Sequence, residues 1–320
     1  MDKDIIKRNL KNVLDSTEFL GVKNYYKGKV RDKYDLGDKF VLVTTDRQSA
    51  FDVNIGLIPY KGQVLNMISK FWFDQTKDIV PNHIISVPDP NVMVVKKLKM
   101  YPVEVVVRAY ITGVTGTSMW YNYDNGERNF CGNFLPDGLK KNQKLPKPIL
   151  TPTTKSDEHD EKISPEEIVD NGLLTQKQWN AVAEKALAVF NRGQELAKKR
   201  GLILVDTKYE FGEDENGNLV LGDEVHTPDS SRYWVLDTYE GRVKRGEEPE
   251  YLDKEYLRLW LRAHGFEYGK EPPEITDELI IEFSSRYIDV YQRMTGEKFV
   301  FPDENIKIQD RIKANLKSFI

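Results

Sequence analysis

Hydrophobic and polar positions divide this chain into a strand-rich first third and a more helical remainder. Between residues 25 and 107 the apolar residues come in short, β-branched runs, at 39–45, 92–98 and 103–107, which predict strands. One helix is expected among them, over 63–76, after a short amphipathic helix over 4–19. Residues 122–155 are rich in Gly, Pro, Asn and Lys and predict a long irregular connection that carries ligand contacts or covers a cleft. Ser164-Pro165-Glu166-Glu167 then reads as a helix start, with Ser as N-cap, Pro in the first turn and Glu where a capping box wants it. The next helix, about 175–200, places Trp179, Val182, Ala186, Val189 and Ala197 on one stripe and ends in Lys198-Lys199-Arg200-Gly201. After residue 223 the chain is expected to be mostly helical, with stretches near 253–264, 276–295 and 304–318. The fold class is α+β.

The most informative pattern lies between these helices. Residues 202–205 form an apolar run suited to a buried strand, after which Asp206, Lys208 and Glu210 share one face by period two. Asn216-Gly217 signals a two-residue hairpin turn. Counting outward from it pairs 215 with 218, and therefore Glu210 with Asp223. Carboxylates facing each other across a ladder, about 4.5–5.5 Å apart at Cβ, repel, so something positive belongs between them. A hard divalent cation shared with phosphate oxygens suits that geometry, Mg²⁺ being usual beside a nucleotide. The bland alternative is a polar hairpin with its acids in water, and a bulge at Gly212 or Gly222 would break the register.

Bulk properties narrow the classes. The 320 residues are 39% hydrophobic and 31% charged, enough for one large domain or two. Net charge is −4, which offers no overall basic field for nucleic acid, so an anionic ligand must be met by local basic clusters. The single cysteine, Cys131, excludes an intrachain disulfide and fits a reducing compartment, the cytosol. No signal-peptide core and no apolar run of membrane-spanning length is present, so no membrane partner is expected.

Four further segments carry candidate chemistry. Lys27, Lys29, Arg31 and Lys33 fall on one face of an expected strand, a cationic stripe beside Gly28 that could hold a polyphosphate; edge-protecting lysines give the same pattern. Thr44-Thr-Asp-Arg-Gln-Ser49-Ala-Phe-Asp52 follows an apolar strand with hydroxyls and charges, with a helix cap at Ser49 as the plain alternative. Glu104 and Arg108 interrupt an otherwise apolar strand, where a buried arginine should meet an anion. Thr227-Pro-Asp229-Ser-Ser-Arg232 reads as a turn and polar cluster suited to a carboxylate or phosphate. There is no Walker A run, dinucleotide glycine fingerprint or nucleophile elbow, and His83, His159, His226 and His264 have no metal-ligand spacing.

Taken in order, these segments resemble the phosphoribosylaminoimidazole-succinocarboxamide synthase (SAICAR synthetase) family of purine biosynthesis. The matching text is Tyr26-Lys-Gly-Lys-Val-Arg-Asp32, Thr45-Asp-Arg-Gln-Ser-Ala-Phe-Asp52, Pro102-Val-Glu-Val-Val-Val-Arg108, Pro148-Ile-Leu-Thr-Pro-Thr-Thr-Lys155, Val205-Asp-Thr-Lys-Tyr-Glu-Phe-Gly212 and Asp223-Glu-Val-His-Thr-Pro-Asp-Ser-Ser-Arg232, with Asp253-Lys254 beyond. The resemblance implies an ATP-dependent ligase that joins aspartate to the carboxylate of an aminoimidazole ribonucleotide through an acyl phosphate. It also implies a strand-rich nucleotide-binding part like a kinase N-lobe, over 1–107, packed on a larger substrate- and metal-binding α+β part, over 108–320.

Carried over by position, Gly28, Lys29, Val30 and Arg31 would cover the ATP phosphates, and Lys97, Met100 and Glu104 would hold adenine and ribose. Glu210 and Asp223 would hold Mg²⁺. Ser49, Arg108, Ser118, Asp229 and Arg232 would bind the ribonucleotide, while Lys208, Asp52 and Lys254 would be the catalytic positions that orient substrate carboxylate or aspartate. One departure stands out. Val114 occupies the place of the family's serine, and Thr115, Thr117 or Ser118 would replace it after a four-residue insertion. A small-molecule kinase of related fold is the alternative reading, since it too needs a phosphate loop and carboxylate-bound Mg²⁺; a nucleotide-binding module without catalysis is a third.

Overall fold

The computed structural model describes residues 3–51, 53–155, 160–266 and 270–319; Asp52, one of the expected catalytic positions, lies outside them. The chain opens with α1 (Lys3–Arg8), shorter than expected: residues 9–12 turn and residues 13–17 are irregular, although Val13 and Leu14 continue the apolar spacing. Seven strands follow: β1 (Tyr25–Lys27), β2 (Arg31–Asp35), β3 (Lys39–Thr44), β4 (Arg47–Ala50), β5 (Val53–Leu57), β6 (Ile84–Asp89) and β7 (Val92–Lys96), with α2 (Lys61–Thr76) between β5 and β6. Five of them form an antiparallel sheet in the order β1-β2-β3-β7-β6, while β4 and β5 pair as a separate hairpin. The cationic stripe is therefore not on one strand. Residues 28–30 turn the chain, so Lys27 lies opposite Asp32 and Tyr26 opposite Lys33. Ser49 sits within β4 and caps no helix.

The second sheet is built on β8 (Lys99–Tyr110). After α3 (Met119–Asp124), the expected irregular stretch contains the small β9 (Asn129–Phe130) and β10 (Asn133–Phe134) pair, then β11 (Lys144–Leu150) and β12 (Thr153–Thr154), both of which pair with β8. Its apolar residues Tyr123, Phe130 and Leu145 join Ile111 and Met119 in a satellite core, which periodicity alone did not show. α4 (Pro165–Asp170) and α5 (Gln176–Lys199) begin with capping boxes at Ser164 and Thr175, so local sequence and structure agree there.

β13 (Leu202–Glu213) is the central strand, flanked by β8 on one side and by β14 (Leu219–Gly222) and β15 (Ser231–Val235) on the other. β15 corrects the expectation of helix after the hairpin: Ser231 and Arg232 start a strand. Then come α6 (Leu236–Lys244), α7 (Glu255–Ala263), α8 (Asp277–Thr295) and α9 (Ile308–Leu316). The main core joins α2, α5, α7 and α8 to the β8–β13 sheet, and a smaller one sets Ile312 and Leu316 of α9 against Val41, Val43, Val92 and Val94 of the first sheet. The last helix thus completes the core of the strand-rich N-terminal part.

Candidate active site

A cleft of about 710 Å³ runs between the two sheets, walled by Lys29, Ser49 and Phe51 on one side and by β8, β13, residues 115–118 and residues 229–232 on the other, with Lys254 and Arg258 at its end. Its floor is one face of β13. At Asp206 the registers of β8 and β15 place an arginine on each side, since Arg108 and Arg232 are both its direct cross-strand partners. Arg108 Nη1 donates to Asp206 Oδ2 at 3.1 Å and Arg232 Nη1 to the same oxygen at 2.6 Å. The expectation that a buried Arg108 meets an anion holds, and the anion is internal. Arg108 also donates to Thr151 Oγ1 at 2.8 Å and to the Thr117 carbonyl at 3.0 Å.

Two steps along the same face the register corrects the sequence reading. Glu210 lies opposite Gly222 rather than Asp223, because Asp214 closes a longer turn: its N–H donates to the Asn218 carbonyl and its carboxylate accepts from the Asn216 and Asn218 N–H groups. A two-residue Asn-Gly turn would have shifted every pair by one. The acid directly across from Glu210 is instead Glu104, on β8. Lys208 lies between them and donates to Glu104 at 2.5 Å and to Glu210 at 3.0 Å, the positive group that opposed acids require.

Asp223 follows β14 in a left-handed conformation, φ 51°, and Arg31 donates to it at 2.5 Å and to Glu224 at 2.6 Å. Lys155 caps Glu210 from the end of β12. Burial acts against the Asp223 carboxylate, but Arg31, then Lys208 and Lys155, hold its pKa well below the ordinary range. Glu104, Glu210, Asp223 and Glu224 with Arg31, Lys155 and Lys208 thus form one cluster with more carboxylates than cations. The donors are all hard oxygens, which suits Mg²⁺. Among the described residues no three His, Cys, Asp or Glu side chains enclose a metal site, so a cation here would draw further oxygens from a ligand and water.

The remaining expected residues divide between contact with the cleft and distance from it. Gly113, φ 90°, is the reason the inserted loop closes: a Cβ there would stand 2.5 Å from Ser118 Oγ and 2.9 Å from Arg232 Nη2. Ser118 is buried and accepts from the Thr115 N–H at 3.1 Å; the fold brings its hydroxyl back beside Arg232, past Val114. Asp229 accepts from Lys61 at 2.9 Å and from the Tyr287 hydroxyl at 2.6 Å. Burial would raise its carboxyl, yet Lys61 and Lys254 bring it well below the usual range. Lys254 is itself lowered to about 8 by burial, against the pull of Asp229. Lys97 pairs with Asp35 at 2.7 Å on the outer sheet edge, and Met100 is partly exposed beside Gly222.

Sequence reasoning did not single out Lys61, Arg47, Tyr287, Glu224 or Arg258. Lys61 begins an amphipathic helix and Tyr287 lies far along the chain, so neither carried a local signal; Glu224 and Arg47 stood unremarked inside quoted motifs.

Comparison with known proteins gives the family. A profile of the SAICAR synthetase family matches residues 24–275. The phosphoribosylaminoimidazole-succinocarboxamide synthase of Legionella pneumophila (strain Lens) is 55% identical over 92% of this chain and 95% of its own length. The chloroplastic synthase of Arabidopsis thaliana is 52% identical over 97% of this chain and 77% of its own. The chain belongs to the SAICAR synthetase family. Among solved structures, the Saccharomyces cerevisiae SAICAR synthase complexed with SAICAR superposes with a TM-score of 0.79 at 34% identity, covering 90% of this chain and all of that one. A SAICAR synthetase in complex with ADP gives 0.67 at 29% identity over 87% of this chain and all of that one. As a SAICAR synthetase, the protein is a ligase of purine biosynthesis that joins aspartate to the carboxylate of an aminoimidazole ribonucleotide. No helix among the described residues is long and apolar enough to cross a membrane.

Proposed function

We propose that the ligation is driven by ATP with Mg²⁺ and that the two ends of the β13 face divide the work. The observation that carries this is the contrast along one strand face, an acid-rich cluster around Glu210 beside Asp206 held by two arginines. Glu210 and Asp223 would hold Mg²⁺, which neutralises charge on phosphate oxygens and orients them. Residues 28–31 would cover the phosphates, and Lys97, Met100 and Glu104 would line the nucleoside end, so that residues 1–107 supply most of the nucleotide half and 108–320 the rest. The ADP-bound family structure supports nucleotide use. The lone cysteine allows no intrachain disulfide and fits a reducing compartment such as the cytosol.

A carboxylate is a poor acyl donor, so the ribonucleotide carboxylate attacks the γ-phosphorus, the bond to the β–γ bridging oxygen breaks and ADP leaves. The aspartate amine then attacks the acyl carbon, the bond to phosphate oxygen breaks, and the amine gives up its proton. Arg108, Arg232 and Ser118 sit where they can hold the ribonucleotide phosphate, with Ser49 and Asp229 bordering the same cleft. Lys208 and Asp52 would orient the reacting carboxylate. Lys254, lowered to about 8, can exchange a proton near neutral pH. Placement of reactants supplies most of the acceleration.

Purified protein with ATP and Mg²⁺ should release ADP only when aspartate and the carboxylated ribonucleotide are both present. Release of equal ADP with a polyol and no aspartate would establish the kinase alternative instead.

A further inference from the structure

We propose that Arg47 is a positioning residue that shapes the turn at residues 28–30 for phosphate binding and, through Lys61, ties that turn to Asp229. The inference rests on the reading that this turn covers the ATP phosphates.

Arg47 is almost fully buried and its charge is met by Asp32, itself inaccessible, at 2.5 Å. An arginine neutralised in this way is not a ligand for an incoming anion. Its remaining donors go to main-chain carbonyls: Nε to Lys29 at 3.2 Å, Nη2 to Gly28 at 3.0 Å, and Nη1 to Asp15. The next carbonyl, of Val30, accepts from the N–H and hydroxyl of Thr45 at 2.9 and 2.8 Å. Three successive carbonyls are therefore held inward. In a trans planar peptide the N–H of the following residue points the opposite way, so the amides of Lys29 and Val30 are directed away from Arg47, towards the side on which Lys29 borders the cleft. Amides turned outward in succession favour an anion. Gly28 permits the tight turn, since a Cβ there would stand 2.4 Å from the Arg31 carbonyl oxygen.

The main chain of Arg47 continues the connection. Its carbonyl accepts from Lys61 Nζ at 3.0 Å, and the same buried ammonium donates to Asp229 at 2.9 Å. A displacement of Arg47 would thus be felt by the phosphate turn through its side chain and by Asp229 through its carbonyl. Lysine cannot replace it, because a single ammonium lacks the planar fork that reaches Asp32 and three carbonyls together.

The test compares steady-state Michaelis constants in Arg47→Lys, Thr45→Val and Lys29→Ala. Arg47→Lys should raise the constant for ATP about tenfold and that for the ribonucleotide severalfold. Thr45→Val, which loses one hydroxyl bond and keeps the amide bond, should raise the ATP constant a few-fold and leave the ribonucleotide constant unchanged. A folded Arg47→Lys protein with both constants native overturns the proposal. Should that variant fail to fold, an unchanged ATP constant in Thr45→Val overturns it. Lys29→Ala separates the two levels: if it leaves the ATP constant native, the turn does not meet ATP and the underlying reading falls with the proposal, whereas a raised constant there with a native one in Arg47→Lys removes only the role of Arg47.

Discussion

At Asp206 the β13 face sets one acid between two arginines, whereas at Glu210 it sets an acid across from a second acid and, on its other side, across from a glycine. The first end is fixed by buried, planar partners whose hydrogen bonds continue into Thr151 and Thr117. Arg108, Arg232 and Arg258 against Asp206 and Glu255 leave positive charge for an anionic ligand. Around Glu210 the second end is held by lysines on flexible stems, Lys208 and Lys155, both partly exposed, while Arg31 holds Asp223 and Glu224 at its margin, and its excess is negative. A site that must bind and release a metal–nucleotide complex benefits from partners that can move away, while one that recognises a phosphate benefits from donors locked in place.

The largest effect should come from the acidic end. Glu210→Gln or Asp223→Asn should lower turnover by more than the roughly 10–100-fold seen when only an outer partner of a metal ligand is lost, and should weaken the dependence of rate on Mg²⁺. Stability should fall little, because Arg31 retains Glu224 and Lys208 retains Glu104. Thermal unfolding beside Mg²⁺ titration of the rate checks both halves. A stability loss near the ~3–5 kcal/mol of a broken buried pair, with Mg²⁺ dependence unchanged, would make this end structural and erase the contrast.

At the arginine end, Arg108→Ala should raise the Michaelis constant for the ribonucleotide roughly ten- to hundredfold, the worth of a charged hydrogen bond of about 1.5–3 kcal/mol. Asp206 keeps Arg232, so no bare buried carboxylate confuses the result. A rise confined to ATP would move Arg108 to the nucleotide end.

How much of this contrast could be read in advance depends on how far apart in sequence the partners lie. The alternation of Asp206, Lys208 and Glu210 showed that one strand face carried charge, local cap chemistry placed the start of α4, and the apolar stripe with its basic end placed α5 within a residue. Register was harder. Asn216-Gly217 implied a tight turn, but Asp214 offered its own carboxylate to the backbone and lengthened the loop by one residue, which exchanged Asp223 for Gly222 opposite Glu210. The opposed acid existed all the same, on β8, about a hundred residues upstream, and no local rule pairs β8 with β13. The cationic stripe failed for a similar reason: period two assumes an unbroken strand, and Gly28 bent it.

The smallest expected effect bears most directly on whether the acidic end is exchangeable. Lys155 pairs with Glu210 through a side chain that is 43% exposed, and Lys208 serves the same acid. Glu210 is buried, but its partner here is exposed and Lys208 remains to meet its charge, so the pair contributes about 0–1 kcal/mol and Lys155→Met should leave the melting temperature nearly unchanged. If Lys155 only occupies an oxygen that the cation needs, its removal should lower the Mg²⁺ concentration for half-maximal rate by about threefold, equivalent to ~0.65 kcal/mol. Titrating Mg²⁺ at saturating ATP and at limiting ATP distinguishes the possibilities. A higher Mg²⁺ requirement, or a raised Michaelis constant for ATP, would mean that Lys155 holds nucleotide phosphate itself; the acidic end would then grip its ligand as firmly as the arginines grip theirs, and flexibility would no longer separate the two.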